Sequence, residues 1–330
     1  MPTWGELLQR LQQLRQAGDP SPFDSVRRQA LAEMAHYTGR NVILYSAGHL
    51  QKPMVPPELV SITGEDMEGF MEVAYGLTGP STDLILHSPG GRAEATEAIV
   101  NYLRSKFSRD IRVFVPHEAM SAATMLACAA NRIVMGRQSY LGPVDPQFQI
   151  QTPLGVQVVP AQAILDQFER ARQECTQDRT NLAVCVPMLQ QYGPALLEQC
   201  QNALRLSKEL VSTWLSAWML RRTRQRFERA AKIADELSDH QRLRTHGRPL
   251  HRVRLRELGL RIDYLEADQT LQDLVLTVHH ATMHTFSATN AAKIIENHMG
   301  RAFIKQFQIV AVQPSGPPPA VPPASPAPQS

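Results

Sequence analysis

Apolar positions recur every three to four residues at the start of the chain, where Trp4, Leu7, Leu8, Leu11 and Leu14 form a stripe opposite Gln and Arg. The pattern predicts a helix that stops at Gly18-Asp19-Pro20, and Val26, Ala30, Leu31 and Met34 predict a second over residues 25–37. From Asn41 the period alternates. Residues 41–45, 84–87, 111–115 and 132–135 are short apolar runs rich in β-branched residues. Between them, Met67, Phe70, Met71 and Ala74 and then Ala95, Ile99, Leu103 and Phe107 return to helical spacing. Strands alternating with helices predict an α/β core with mostly parallel strands. Residues 149–159 read as one extended segment. Beyond Ala161 the spacing is helical over 161–175, 194–220 and 223–237, and again over 269–283 and 291–298, with a strand over 302–312. These changes divide the chain into N-terminal helices (1–39), a core (40–160), a helical insert or arm (161–242), a return to the core with C-terminal helices (243–312) and a Pro-, Ala- and Ser-rich tail (313–330) expected to be disordered.

Residues 84–148 concentrate the positions that can carry chemistry. The strand ending at His87 runs into Ser88-Pro89-Gly90-Gly91, a turn whose backbone can approach a ligand closely. Past the next strand, His117-Glu118-Ala119-Met120-Ser121-Ala122-Ala123-Thr124 places one serine at the start of a helix of small and apolar residues. Unpaired amides of a first helical turn face such a serine, and the helix dipole favours negative charge there. Ser121 is therefore either an N-cap or a nucleophile, and the Gly-Gly turn supplies a second amide for the nucleophile reading.

The order strand, Ser88-Pro89-Gly90-Gly91, helix, strand, Ala119-Met120-Ser121-Ala122-Ala123, strand, Gly142-Pro143-Val144-Asp145-Pro146-Gln147 resembles the Clp-protease and signal-peptide-peptidase superfamily. Within it, the chain is most similar to the serine dehydrogenase proteinase family, over residues 40–148 above all and onward to about 305. The resemblance implies a ClpP/crotonase-like spiral of β-β-α units with a helical C-terminal extension. It further implies a serine endopeptidase with Ser121 as nucleophile and an oxyanion hole at Gly90-Gly91 and Ala122, the amides of Gly91 and Ala122 donating.

A serine needs a group to take its proton. The Clp peptidase has a histidine about 25 residues beyond the serine, where this chain has Gly142-Pro143-Val144-Asp145-Pro146 instead. The signal-peptide-peptidase branch uses a lysine from the downstream helical segment. Of six lysines, Lys208 stands out because it falls within the stripe Leu197, Leu204, Val211, Leu215, where an apolar setting would favour the neutral amine. A lysine at the edge of that stripe, with its ammonium in water, is the other reading. His246 is the next candidate base, and Asp145, fixed between prolines, is expected to position a partner, as is Gln147.

Composition narrows this picture. With 43 % hydrophobic residues and a net charge of +3, the chain can bury a substantial core and carries no global bias toward nucleic acid. The arginine-dense stretch 221–256 lacks interleaved aromatics and is broken by Glu228, Asp235, Glu236 and Asp239, so a solvated face or subunit contact is expected. His280 and His284 are one turn apart but lack the glutamate and third ligand of a zinc site, and neither metal nor cofactor is expected. Four cysteines without a Cys-x-x-Cys pair, no signal-peptide pattern and no apolar run long enough to span a bilayer suit a cytoplasmic protein. Peripheral membrane contact through the first helix is the minor alternative. Expected partners are a polypeptide substrate and further copies of the chain, since the first stripe and the long helices exceed what one core needs to cover. Two other functions stand beside the peptidase: an inactive peptide-binding scaffold, and a crotonase-type acyl-CoA hydratase or isomerase acting through Glu118.

Overall fold

The computed structural model describes residues 3–152, 155–190, 192–193 and 195–308; the predicted tail, 313–330, lies outside them. At the centre is a seven-stranded sheet in the order Ile262–Tyr264, Arg132–Met135, Asp110–Val115, Ser81–His87, Asn41–Ala47, Ala291–Asn297, Ala302–Gln306. The first five are parallel to their neighbours and the last two join antiparallel. Because both faces are covered, the central strands are near-continuous apolar runs rather than alternating ones. The face carrying Ile43, Leu84, Val113 and Ile133 packs under the helices Asp66–Ala74, Ala93–Lys106 and Ala122–Cys128 and under the arm. The other, with Val42, Leu44, Ile85 and Phe114, packs under Pro22–Thr38 and Gln269–Ala288. It is the mixed α/β class that the alternating pattern implied.

Four expectations change. Residues 291–298 were expected to be helical. They form the strand Ala291–Asn297 instead, all seven positions buried, its charges neutralised inside: Lys293 by Asp66 and Glu296 by Arg27. Residues 149–159 are not one strand but a hairpin of Gln147–Thr152 and Gly155–Pro160. The first helix, Trp4–Gln16, buries Leu7 and Leu11 against Val26 and Ala281 of its own chain, so that stripe is no argument for a second copy. Met71, expected inward, is exposed.

Arg27 shows how the sheet is fastened to its covering helix. Its guanidinium, fully buried, donates to Glu296 at 2.5 Å, Asp24 at 2.6 Å and Thr285 at 3.0 Å. Removing one partner of such a pair strands a charge in the core, so Arg27→Met is expected to lower unfolding free energy by about 3 kcal/mol, read by urea titration.

Candidate active site

Ser81–His87 and Asp110–Val115 run parallel with Ile85 opposite Phe114, so both strands deliver their following turns to one edge of the sheet. There the turns are zipped together. The Ser88 amide donates to the Glu118 carbonyl at 3.2 Å, and the Met120 amide donates to the Ser88 carbonyl at 3.0 Å. Gly90, at φ 98°, consequently lies against the serine: a Cβ there would sit 2.5 Å from the Met120 carbonyl oxygen and 2.7 Å from Ser121 Cβ. From the other side the Ile62 amide donates to the Gly90 carbonyl at 2.7 Å and the Arg92 amide to the Ile62 carbonyl at 2.9 Å. Among the described residues, the Gly91 amide between them has no partner. Gly90→Ala is expected to combine an unfavourable φ with a backbone clash, costing about 2 kcal/mol or more of stability. It should also displace Ser121; a melting curve and a peptide assay would read both effects.

Ser121 is at φ 53°, ψ −120°, a region that non-glycine residues enter at a cost of about 1–3 kcal/mol. Its side chain makes no capping bond to the helix Ala122–Cys128 that it precedes. That removes the N-cap reading. The hydroxyl instead lines a cavity of about 460 Å³ together with Gly90, Gly91, Ala122, Asp145 and His246.

Asp145 is 2 % exposed at its side chain and gathers three partners. Nδ1 of His246 donates to one carboxylate oxygen, while Gln147 Nε2 at 3.2 Å and His240 Nδ1 at 3.3 Å approach the other. The loop is anchored on both flanks: the Val144 amide donates to the Leu237 carbonyl and the Ala161 amide to the Pro146 carbonyl, both at 2.8 Å. Engaging Nδ1 fixes the imidazole tautomer, leaving Nε2 for the cavity. Asp145, expected to position a partner, is thus hydrogen-bonded to His246, the second candidate base, and Gln147 and His240 approach the same carboxylate.

Lys208 does not join them. Its ammonium pairs with Asp235 at 3.0 Å and the side chain is 43 % exposed. The helix Leu196–Trp214 meets different partners along its length: Leu197 and Leu204 pack with Ala161 and Ile164, whereas Leu210, Val211 and Trp214 join the main core, where the helix packs on Ala93–Lys106, Ala122–Cys128 and Arg226–Ser238. The stripe is one face whose two ends pack against different clusters, Lys208 falls at its solvent edge, and Ser207, one position earlier, lines the cavity with Ala203 and Leu206. Ser207 carried no signal in the sequence. The arginine-dense stretch is likewise tied up in part, Arg242 and Arg254 both pairing with Glu236.

Glu118, the candidate base of a crotonase reading, is committed elsewhere. Burial would raise its carboxyl, but hydrogen bonds from His49, at 2.6 Å, and Tyr140 outweigh burial and hold it down at about 2. It is not among the residues lining the cavity. His87, beside it, is fully buried, and burial followed by His279 and His49 keeps it neutral, well below the usual histidine range.

A serine at a strained elbow beside the Gly-Gly turn thus lines one cavity with a histidine hydrogen-bonded to a buried carboxylate, at one edge of a mostly parallel sheet. The chain belongs to the ClpP-like SDH-type serine proteinase family, whose model matches residues 62–284. At family level that is a serine peptidase. Two uncharacterised proteins of Methanocaldococcus jannaschii, MJ1495 and MJ0137, are 31 % and 30 % identical over 204 and 203 residues. The matches take in 61 % of this chain in both cases and 59 % and 60 % of the two relatives, less than two thirds of either. Among solved structures, a mutant of the membrane-bound stomatin-specific protease 1510-N aligns over 61 % of this chain and 74 % of its own, at 16 % identity and a TM-score of 0.37. Among the described residues, no helix is long and apolar enough to cross a membrane.

Proposed function

We propose that the protein hydrolyses peptide bonds through an acyl-enzyme on Ser121, with His246 as general base and Asp145 as its positioning residue. His246 Nε2 takes the hydroxyl proton as Ser121 Oγ bonds to the scissile carbonyl carbon. The oxygen left negative is received by the Gly91 and Ala122 amides. The imidazolium then returns the proton to the leaving amine. Water, deprotonated by the same imidazole, releases the acyl group and restores the serine. The observation that carries this reading is the strained Ser121 backbone beside the Gly91 amide, which has no partner among the described residues, since strain of that kind persists where the surrounding structure imposes it for a purpose.

The substrate is a polypeptide in extended form, laid beside Gln147–Thr152, which leaves the cavity edge at Gln147 and Phe148. A homo-oligomer fits the exposed Val156 and Val158 of the hairpin and Leu182, Val184 and Val186 of the arm; sedimentation across micromolar concentrations tests it. Four free thiols suit a cytoplasmic setting. The chemistry is tested by a fluorophosphonate probe followed by peptide mapping. Label on Ser121, retained in Lys208→Met and lost in Ser121→Ala, is the expected result, whereas a chain that takes no label is a peptide-binding scaffold.

A further inference from the structure

A buried charged network stands one residue away from the Gly-Gly turn, and the mechanism above does not use it. Lys293 enters from the strand Ala291–Asn297 and Tyr45 from Asn41–Ala47; Ala47 pairs with Lys293 and Tyr45 with Ile295, so the two side chains share a face of the sheet. Asp66 meets them from the first turn of Asp66–Ala74. Lys293, Asp66 and Tyr45 are all fully buried. Lys293 Nζ donates to both Asp66 oxygens at 2.8 Å and to the Ser61 carbonyl at 2.5 Å. Asp66 also accepts from the Tyr45 hydroxyl at 2.8 Å and from the Thr63 amide at 3.0 Å. The backbone is therefore held at Ser61 and at Thr63. Ile62, between them, makes the two hydrogen bonds that grip Gly90 and Arg92.

We infer that Lys293, Asp66 and Tyr45 are positioning residues for the oxyanion hole: the ion pair fixes Ser61 to Thr63, and Ile62 transmits that placement to the Gly91 amide. The inference rests on the reading of Ser121 as nucleophile. A buried ion pair is a poor source of stability compared with apolar side chains of the same volume, because both ions lose their hydration. What this one supplies is geometry, three acceptors on two chain segments converging on a single ammonium.

The network also carries a pH signature. The groups facing Lys293 are Asp66 and Glu65 at the helix start, Lys305 on the edge strand and the Tyr45 ring, 5.6 Å from Nζ. Burial pulls the ammonium down from 10.5 to about 8, against the opposing pull of Asp66. Above that pH the amine has two N–H bonds for three acceptors, and Asp66 keeps only the Lys305 ammonium, 3.3 Å away, as a counter-charge. Between about 8 and 10.5 the unfolded chain binds more protons than the folded one, so this group's contribution to stability rises with pH. A fall in turnover across that window is therefore not caused by this group destabilising the fold.

The test compares wild type with Tyr45→Phe, Lys293→Met and the double variant Lys293→Met with Asp66→Asn, which removes both charges of the pair and leaves Lys305 to Glu65. Hydrogen exchange of the amides at 61–64 and 88–92 is read alongside kcat and KM on a fluorogenic peptide. Expected are faster exchange in both segments with Gln269–Ala288 unchanged, kcat lower by about 10-fold in Tyr45→Phe and 100-fold in the lysine variants, and KM within about two-fold. The alkaline fall of kcat near pH 8 should be absent from the double variant. Should Lys293→Met fail to fold, Tyr45→Phe decides. Wild-type exchange and kcat in Tyr45→Phe and in the double variant would overturn the inference. Faster exchange at the turn in a protein whose wild type takes no fluorophosphonate would uphold the positioning and reject the Ser121 chemistry.

Discussion

Ser121→Ala is expected to remove peptidase activity, by about 10⁴-fold or more, while the protein melts as the wild type does. The activity loss follows because no other hydroxyl occupies the elbow facing the Gly91 and Ala122 amides; Ser207, which also lines the cavity, is on the helix across from it. The unchanged stability follows from a specific absence: the Ser121 side chain makes no capping bond, so alanine forfeits none, and the shift should stay within about 0.5 kcal/mol. Ser121→Gly separates strain from chemistry. It should be equally inactive yet more stable by about 1 kcal/mol, because glycine adopts φ 53° without a Cβ penalty. Casein or peptide turnover by either variant at the wild-type rate would refute the nucleophile, and a stability loss in the glycine variant would refute the strain.

His246→Ala is expected to lower kcat/KM by about 10³-fold, with KM little changed, because the imidazole that takes the proton of Ser121 is then missing. Asp145→Asn should follow the same direction, since an amide can present its N–H to Nδ1 and leave the ring in the wrong tautomer. Lys208→Met, by contrast, should keep wild-type turnover: the lysine is on the surface with Asp235, and an exposed pair of that kind contributes less than about 1 kcal/mol. Kinetics on the three variants under one set of conditions reads the result. Loss of activity in Lys208→Met with retention in His246→Ala would reverse the assignment of the base.

The sequence by itself determined the parts whose cause is local. The alternation of strand and helix spacing from Asn41 to Met135, the Gly-Gly turn at a strand end and the serine at a helix start follow from neighbours along the chain, and each is where its pattern put it. Backbone geometry is short-range, so a turn that needs φ 98° announces itself as glycine. What only the tertiary structure decided is which distant segments meet. Asp145 and His246 are 101 positions apart, and nothing in the periodicity of the arm says that its return loop closes on the Gly-Pro-Val-Asp-Pro run. The same holds for Lys208. A stripe in sequence does not say what covers each part of it, and here the two ends of the helix pack against different clusters while Lys208 is left at the solvent edge. Lys293 is the clearest instance: in sequence it is a charge within residues expected to be helical, and in the fold it is wholly buried on a strand, where Asp66, 227 positions away, neutralises it. Charge pairing across the chain is long-range electrostatics, and a linear pattern of hydrophobic and polar residues cannot represent it.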